Sequence, residues 1–151
     1  MCLPYQQRLN DEKIFDYAVG DKHFGFAWQV LDGLDDGTKT AWFGKGSYRY
    51  YPLFGRRLQH RPVVVTAEGL PLPHVHERWL RRKLSGKARV QPDEVIGSQE
   101  LIANLKGCDV DCVFVSVDDA GNWPWQYEVL ASSSRISRIY KDGQTAILRI
   151  D

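Results

Sequence analysis

The residues whose types and spacing could do chemistry cluster in the middle of this chain. Lys45, Arg49, Arg56, Arg57, Arg61, Arg78, Arg81 and Arg82 are cations, and Tyr48, Tyr50 and Tyr51 are interleaved with the first of them. Rings alternating with fixed cations suit a nucleic-acid strand, because bases stack on the rings while phosphates meet the guanidinium groups. The charge balance makes the segment stand out further. Between Lys45 and Arg89 there are eleven Lys/Arg residues and only two acids, Glu68 and Glu77, a local charge of +9. The rest of the chain carries −8, so the total of +1 hides the asymmetry. Such a distribution fits an anionic partner, which is nucleic acid or an acidic protein surface, or it fits pairing with acids elsewhere in the same fold.

Other reactive groups form weaker constellations. Removal of Met1 would leave Cys2 with its own amine beside the thiol, the arrangement in which an amine serves as base for a nucleophile. His74, His76, Cys108 and Cys112 are four side chains able to ligate zinc, but their spacing matches no common zinc module, so no metal is expected. Gly44-Lys45-Gly46-Ser47 lacks the full Gly-x4-Gly-Lys-Ser/Thr pattern, although glycines and a lysine can still cradle a phosphate through backbone amides.

The run Gln126-Tyr127-Glu128-Val129-Leu130, followed by a terminal hairpin, resembles the closing strands of ADP-ribosyltransferase domains. That likeness covers about the last twenty-five residues. It implies an alternative function as a small NAD-dependent transferase, in which Glu128 holds the ribose, Gln126 completes the motif, and Arg49 supplies the upstream strand arginine. The Met-Cys opening is similar to that of class II amidotransferases and abasic-site crosslinking proteins in the dipeptide alone.

These residues need elements to position them. Asn10 or Asp11 predicts a cap for a helix reaching about Val19. Residues 22–31 are rich in aromatic and β-branched types and predict a strand, with a turn at 35–38 and a returning strand at 38–43. The run 63–66 suits a short buried strand. Pro73 opens a predicted helix to about Leu84, which places His74, Arg78, Arg81 and Arg82 on one face. Pro92 opens a second, with Val95, Ile102 and Leu105 inward and Gly107 as its stop. From residue 110 the period changes to two and predicts strands at 110–117, 124–131, 134–140 and 145–150, with turns at 118–122 and 141–144.

The order predicts a single α+β domain over 1–151: a mainly antiparallel sheet with two or three short helices packed on one side. No run of eighteen apolar residues is present and no membrane role is expected. The odd cysteine count argues against a disulfide framework and for the cytoplasm. The leading expectation is a non-enzymatic binding domain without cofactor, of a kind common in phages and mobile elements. Its basic, aromatic-rich face, about residues 45–89, would dock nucleic acid or a nucleoprotein machine.

Overall fold

The computed structural model describes residues 25–44, 51–71 and 95–151. The expected helix near the N-terminus and the arginine-bearing helix from Pro73 lie outside these residues.

The first described element is helix α1, Gly25–Asp32. This corrects the expected strand over 22–31. Aromatic composition favoured a strand, but the buried positions Ala27, Trp28 and Leu31 recur at helical spacing while Phe26 is 63% exposed. Thr38 Oγ1 donates to Asp35 O at 2.6 Å, closing the expected turn. Strand β1, Lys39–Gly44, then runs where predicted. A 3-10 turn, Tyr51–Phe54, leads to the two-residue strand β2, Arg61–Pro62. The expected strand at 63–66 is reduced to one bridge between Val65 and Pro71, because Thr66 and Leu70 bond each other across a turn.

Helix α2 spans Ser98–Gly107 and buries Leu101, Ile102 and Leu105. Ile102 and Leu105 are inward as expected, whereas Val95 precedes the helix and is 64% exposed. Strand β3, Cys112–Ser116, is buried at every position. Helix α3, Trp125–Ala131, replaces the strand expected at 124–131. Pro124 begins it in an extended conformation, and Gln126, Tyr127 and Leu130 turn inward at helical rather than alternating spacing. Strands β4, Ile136–Lys141, and β5, Thr145–Ile150, close the chain close to where the alternation placed them.

The five strands form one sheet in the order β2-β1-β3-β5-β4. β1 is parallel to β2 and β3, and β5 is antiparallel to β3 and β4. The α+β class holds, with a mixed sheet rather than a mainly antiparallel one. Side-chain alternation divides the interior into two cores. Ala41, Phe43, Val113, Val115, Ala146 and Leu148 face α2 and α3. Trp42, Phe114 and Ile147 face α1. Two helices thus share one side and the third covers the other, where all were expected on one side.

Two details fix the sheet. Trp42 Nε1 donates to Ser116 Oγ at 2.9 Å in the interior, tying β1 to β3. The hairpin between β4 and β5 is organised by Asp142: its Oδ1 accepts from Gln144 N, Thr145 N and Thr145 Oγ1, and its Oδ2 accepts from Tyr140 Oη at 2.7 Å. Burial pushes the Asp142 carboxyl up, but the bonds from Tyr140, Gln144 and Thr145 outweigh it and hold the group below its ordinary value. Desolvation and the same carboxylate push Tyr140 up to about 12.

A two-sided pH dependence follows. A depressed carboxyl contributes stability above its unfolded value, about 3.9, and loses it as pH falls through the folded one. A raised phenol contributes below its unfolded value and loses it as pH rises through the folded one, here between 10.0 and about 12. Urea midpoints measured against pH are expected to drop at both ends. Asp142→Asn should flatten the acid limb, and an unchanged acid limb would show that Asp142 does not couple to folding.

Candidate nucleic-acid interface

Of the basic residues singled out in the sequence, Arg56, Arg57 and Arg61 are described. Lys45, Arg49, Tyr50, Arg78, Arg81 and Arg82 lie outside the described residues, as do Cys2, His74 and His76. The three described arginines occupy one connection, from the end of the 3-10 turn to β2, and all three are exposed.

This connection is built on two polar side chains that sequence reasoning missed, Asp32 and Gln59. Asp32 ends α1, and its Oδ1 accepts from Arg56 N at 2.7 Å and from Gln59 Nε2 at 2.8 Å. Gln59 Nε2 also donates to Asp32 O at 3.2 Å, and Gln59 Oε1 accepts from Arg57 N at 2.8 Å. The carboxamide therefore lies inside the turn. It occupies the space a β-carbon on Gly55 would need, 2.7 Å from the Gln59 amide atoms, and Gly55 adopts φ +73. Leu58 N donates to Gly55 O, and His60 N to Phe54 O. At the base, Gly37 N donates to Gln59 O at 2.7 Å and Arg61 N to Thr38 O at 2.9 Å. Leu53 anchors the segment in the core beneath α1.

What the scaffold presents is unusual for a surface turn. Leu58 stands in the left-handed region at φ 56, and its side chain is 51% exposed. A branched L-residue there costs roughly 1–2 kcal/mol, and the half-exposed side chain recovers little of it by packing. Phe54, four residues earlier, is 38% exposed. Below the turn, His60 is buried, and among the described residues neither ring nitrogen has a hydrogen-bond partner. Strain at a half-exposed apolar residue two positions from a buried, unpaired polar side chain is the pattern of a site kept for something other than stability.

Electrostatically the turn is cationic, and Arg57 is lightly tethered. Arg57 Nη2 lies 3.1 Å from Asp36 Oδ1, with both side chains about two-thirds exposed at 69% and 66%. Exposed pairs of this kind contribute about 0–1 kcal/mol, so an incoming anion can displace Asp36.

The other constellations are described only in part. Glu128 is exposed on α3, while Gln126 is buried and donates to Ala67 O at 3.0 Å. The two residues of the motif therefore point to different environments on a helix, where the transferase likeness requires a strand. Cys108 packs with the core beneath α2 and α3, and burial and Asp109 push its thiol up. Burial also pushes up the Cys112 thiol, against the opposing effect of Arg149. Among the described residues, no three His, Cys, Asp or Glu side chains converge as a metal site. No described helix is long and apolar enough to cross a membrane.

Comparison with protein-family models, curated proteins and solved structures gives no significant match. The site therefore rests on its own geometry.

Proposed function

We propose that this chain is a binding domain that docks nucleic acid through the turn from Phe54 to Arg61. The observation that carries the reading is the turn itself: Arg56 and Arg57 leave a backbone fixed by Asp32 and Gln59, with Arg61 at its base, and the segment contains no acid. Pre-organised cations lose less freedom on binding than cations on a floppy loop. Their sequence neighbours Lys45, Arg49 and Tyr50 would extend the same surface in this reading, as would Arg78, Arg81 and Arg82.

Salt dependence tests it. Each phosphate neutralised by a cation releases counterions, lowering log affinity by about 0.7–0.9 per contact for each unit of log salt. With the three arginines of the turn engaged, raising salt from about 50 to about 200 mM should weaken binding roughly 20- to 40-fold in an anisotropy titration with labelled oligonucleotides. Replacing Arg56 and Arg57 together by Glu should lower both the affinity and the slope. Absence of binding to single- and double-stranded DNA and RNA at the lower salt would overturn the reading in favour of an acidic protein partner.

A further inference from the structure

We propose that the outer edge of β4 takes an acidic, extended peptide as an added strand of the sheet. This goes beyond the docking reading above, and β4 lies at the opposite edge of the sheet from β2.

Among the described residues β4 pairs with β5 alone. Asp151 N donates to Arg135 O at 3.0 Å, so the alternation of an antiparallel ladder turns the N–H and C=O of Arg138 away from β5. The register then shifts by one residue between Arg138 and Tyr140. Beyond that bulge Asp142 N donates to Thr145 O at 2.9 Å, so the backbone groups of Lys141 also point away from β5.

The bulge sets the side chains as well. Residues three apart on a regular strand point to opposite faces. Here Arg138 pairs with Leu148 and Lys141 with Ala146, and both partners face α2 and α3. The extra residue thus brings two exposed cations onto one face of the edge. Lys141 Nζ is held there over Trp123 and Tyr127, 5.2 and 4.9 Å from their ring centres. On the other face Tyr140 pairs with Ile147 toward α1 and meets Phe26, which is 63% exposed.

These features choose the occupant. The run 132–141 holds Arg135, Arg138 and Lys141 and no acid. The neighbouring Asp142 carboxylate is taken up by Tyr140, Gln144 and Thr145. A second copy of β4 would set like charges against each other, which destabilises a strand pair. An acidic strand sets opposite charges there, and its backbone satisfies the outward groups of Arg138 and Lys141. Alternation gives the ligand its pattern: carboxylates on the side of Arg138 and Lys141, apolar side chains on the side of Tyr140 and Phe26.

The probe is a labelled peptide of about eight residues alternating glutamate and valine, titrated into the whole chain by anisotropy. Binding is expected, with slower hydrogen exchange at the Arg138 and Lys141 amides. Replacing Arg138 and Lys141 together by Glu should weaken it about tenfold or more, and should make a lysine–valine peptide the better ligand. Phe26→Ala should weaken it about threefold or more. Replacing Arg56 and Arg57 together by Glu should leave peptide binding unchanged. No binding of the glutamate peptide, or binding with the two amides exchanging as in the free protein, would overturn the proposal. Loss of peptide binding on reversing Arg56 and Arg57 would overturn it too, because the acidic ligand would then sit at the turn.

Discussion

Gly44→Ala is expected to abolish folding, or to cost about 4 kcal/mol or more where a folded fraction survives. Gly44 ends β1 at φ +104, paired with Ser116 in the sheet interior. A β-carbon there would overlap the Ser116 carbonyl oxygen and approach its Oγ to 2.9 Å. The obstacle is the backbone of a central strand, which β1 and β5 hold on either side, so it cannot turn away as a flexible side chain would. Moving Ser116 would also break its bond to Trp42. Gly37 supplies the control. Its φ of +88 imposes the same conformational cost on an alanine, but no atom lies within 4 Å of the added carbon. Gly37→Ala should cost only about 1–2 kcal/mol. Urea unfolding of the two variants separates clash from backbone preference, and comparable losses would show that the close approach of β1 to β3 is not what demands glycine at 44.

Phe114→Ala is expected to cost about 3–5 kcal/mol, a large fraction of the stability of any domain this size. Phe114 is fully buried on the central strand. Its ring stacks on Trp28 of α1 with centroids 4.3 Å apart, and meets Trp42 of β1 edge-on at 5.2 Å. Trp28 and Trp42 also meet edge-on, so three rings from three elements form one cluster. Removing the middle ring leaves a cavity that two rigid indoles cannot collapse into. The urea midpoint should fall with little change in the slope of the transition, and the near-ultraviolet circular dichroism of the tryptophans should weaken. Phe26→Ala is the matching surface change. Phe26 touches Tyr140 at 5.6 Å but is mostly exposed, and its loss should cost less than about 1 kcal/mol. Equal costs for the two would mean that α1 is not held by this cluster.

The parts legible in the sequence were those where local pattern and tertiary burial agree. β1, β3 and β5 read correctly because runs such as Thr40-Ala41-Trp42-Phe43 and Thr145-Ala146-Ile147-Leu148 are apolar and lie where both sheet faces are covered. The turns at Asp118 and Asp142 read correctly because each carboxylate bonds amides a few residues onward. α1 and α3 did not, because Phe, Trp, Tyr and Val bias a short segment toward a strand while only seven or eight residues are available to reveal a helical period. Those two misreadings produced the expectation of a mainly antiparallel sheet. With α3 restored, β3 and β4 become parallel strands of a β-α-β unit into which β5 is inserted between its two strands. At the candidate site, the arginines were visible as charge, but Asp32 and Gln59 were not. Their role depends on α1 ending beside a turn more than twenty residues later, and no local signal encodes that approach.

The pairing of β1 with β3 has a consequence for synthesis. Thr40 sits beside Cys112 and Trp42 beside Phe114, partners seventy-two residues apart in the chain. At roughly 5–20 residues per second, β3 leaves a ribosome several seconds after β1. During that interval Ala41, Trp42 and Phe43 have no central strand to join, so the nascent chain exposes an apolar strand until its partner arrives. A bound chaperone, or a slow growth temperature that lengthens the wait, would act on this strand while only the two-residue β2 is there to pair with it.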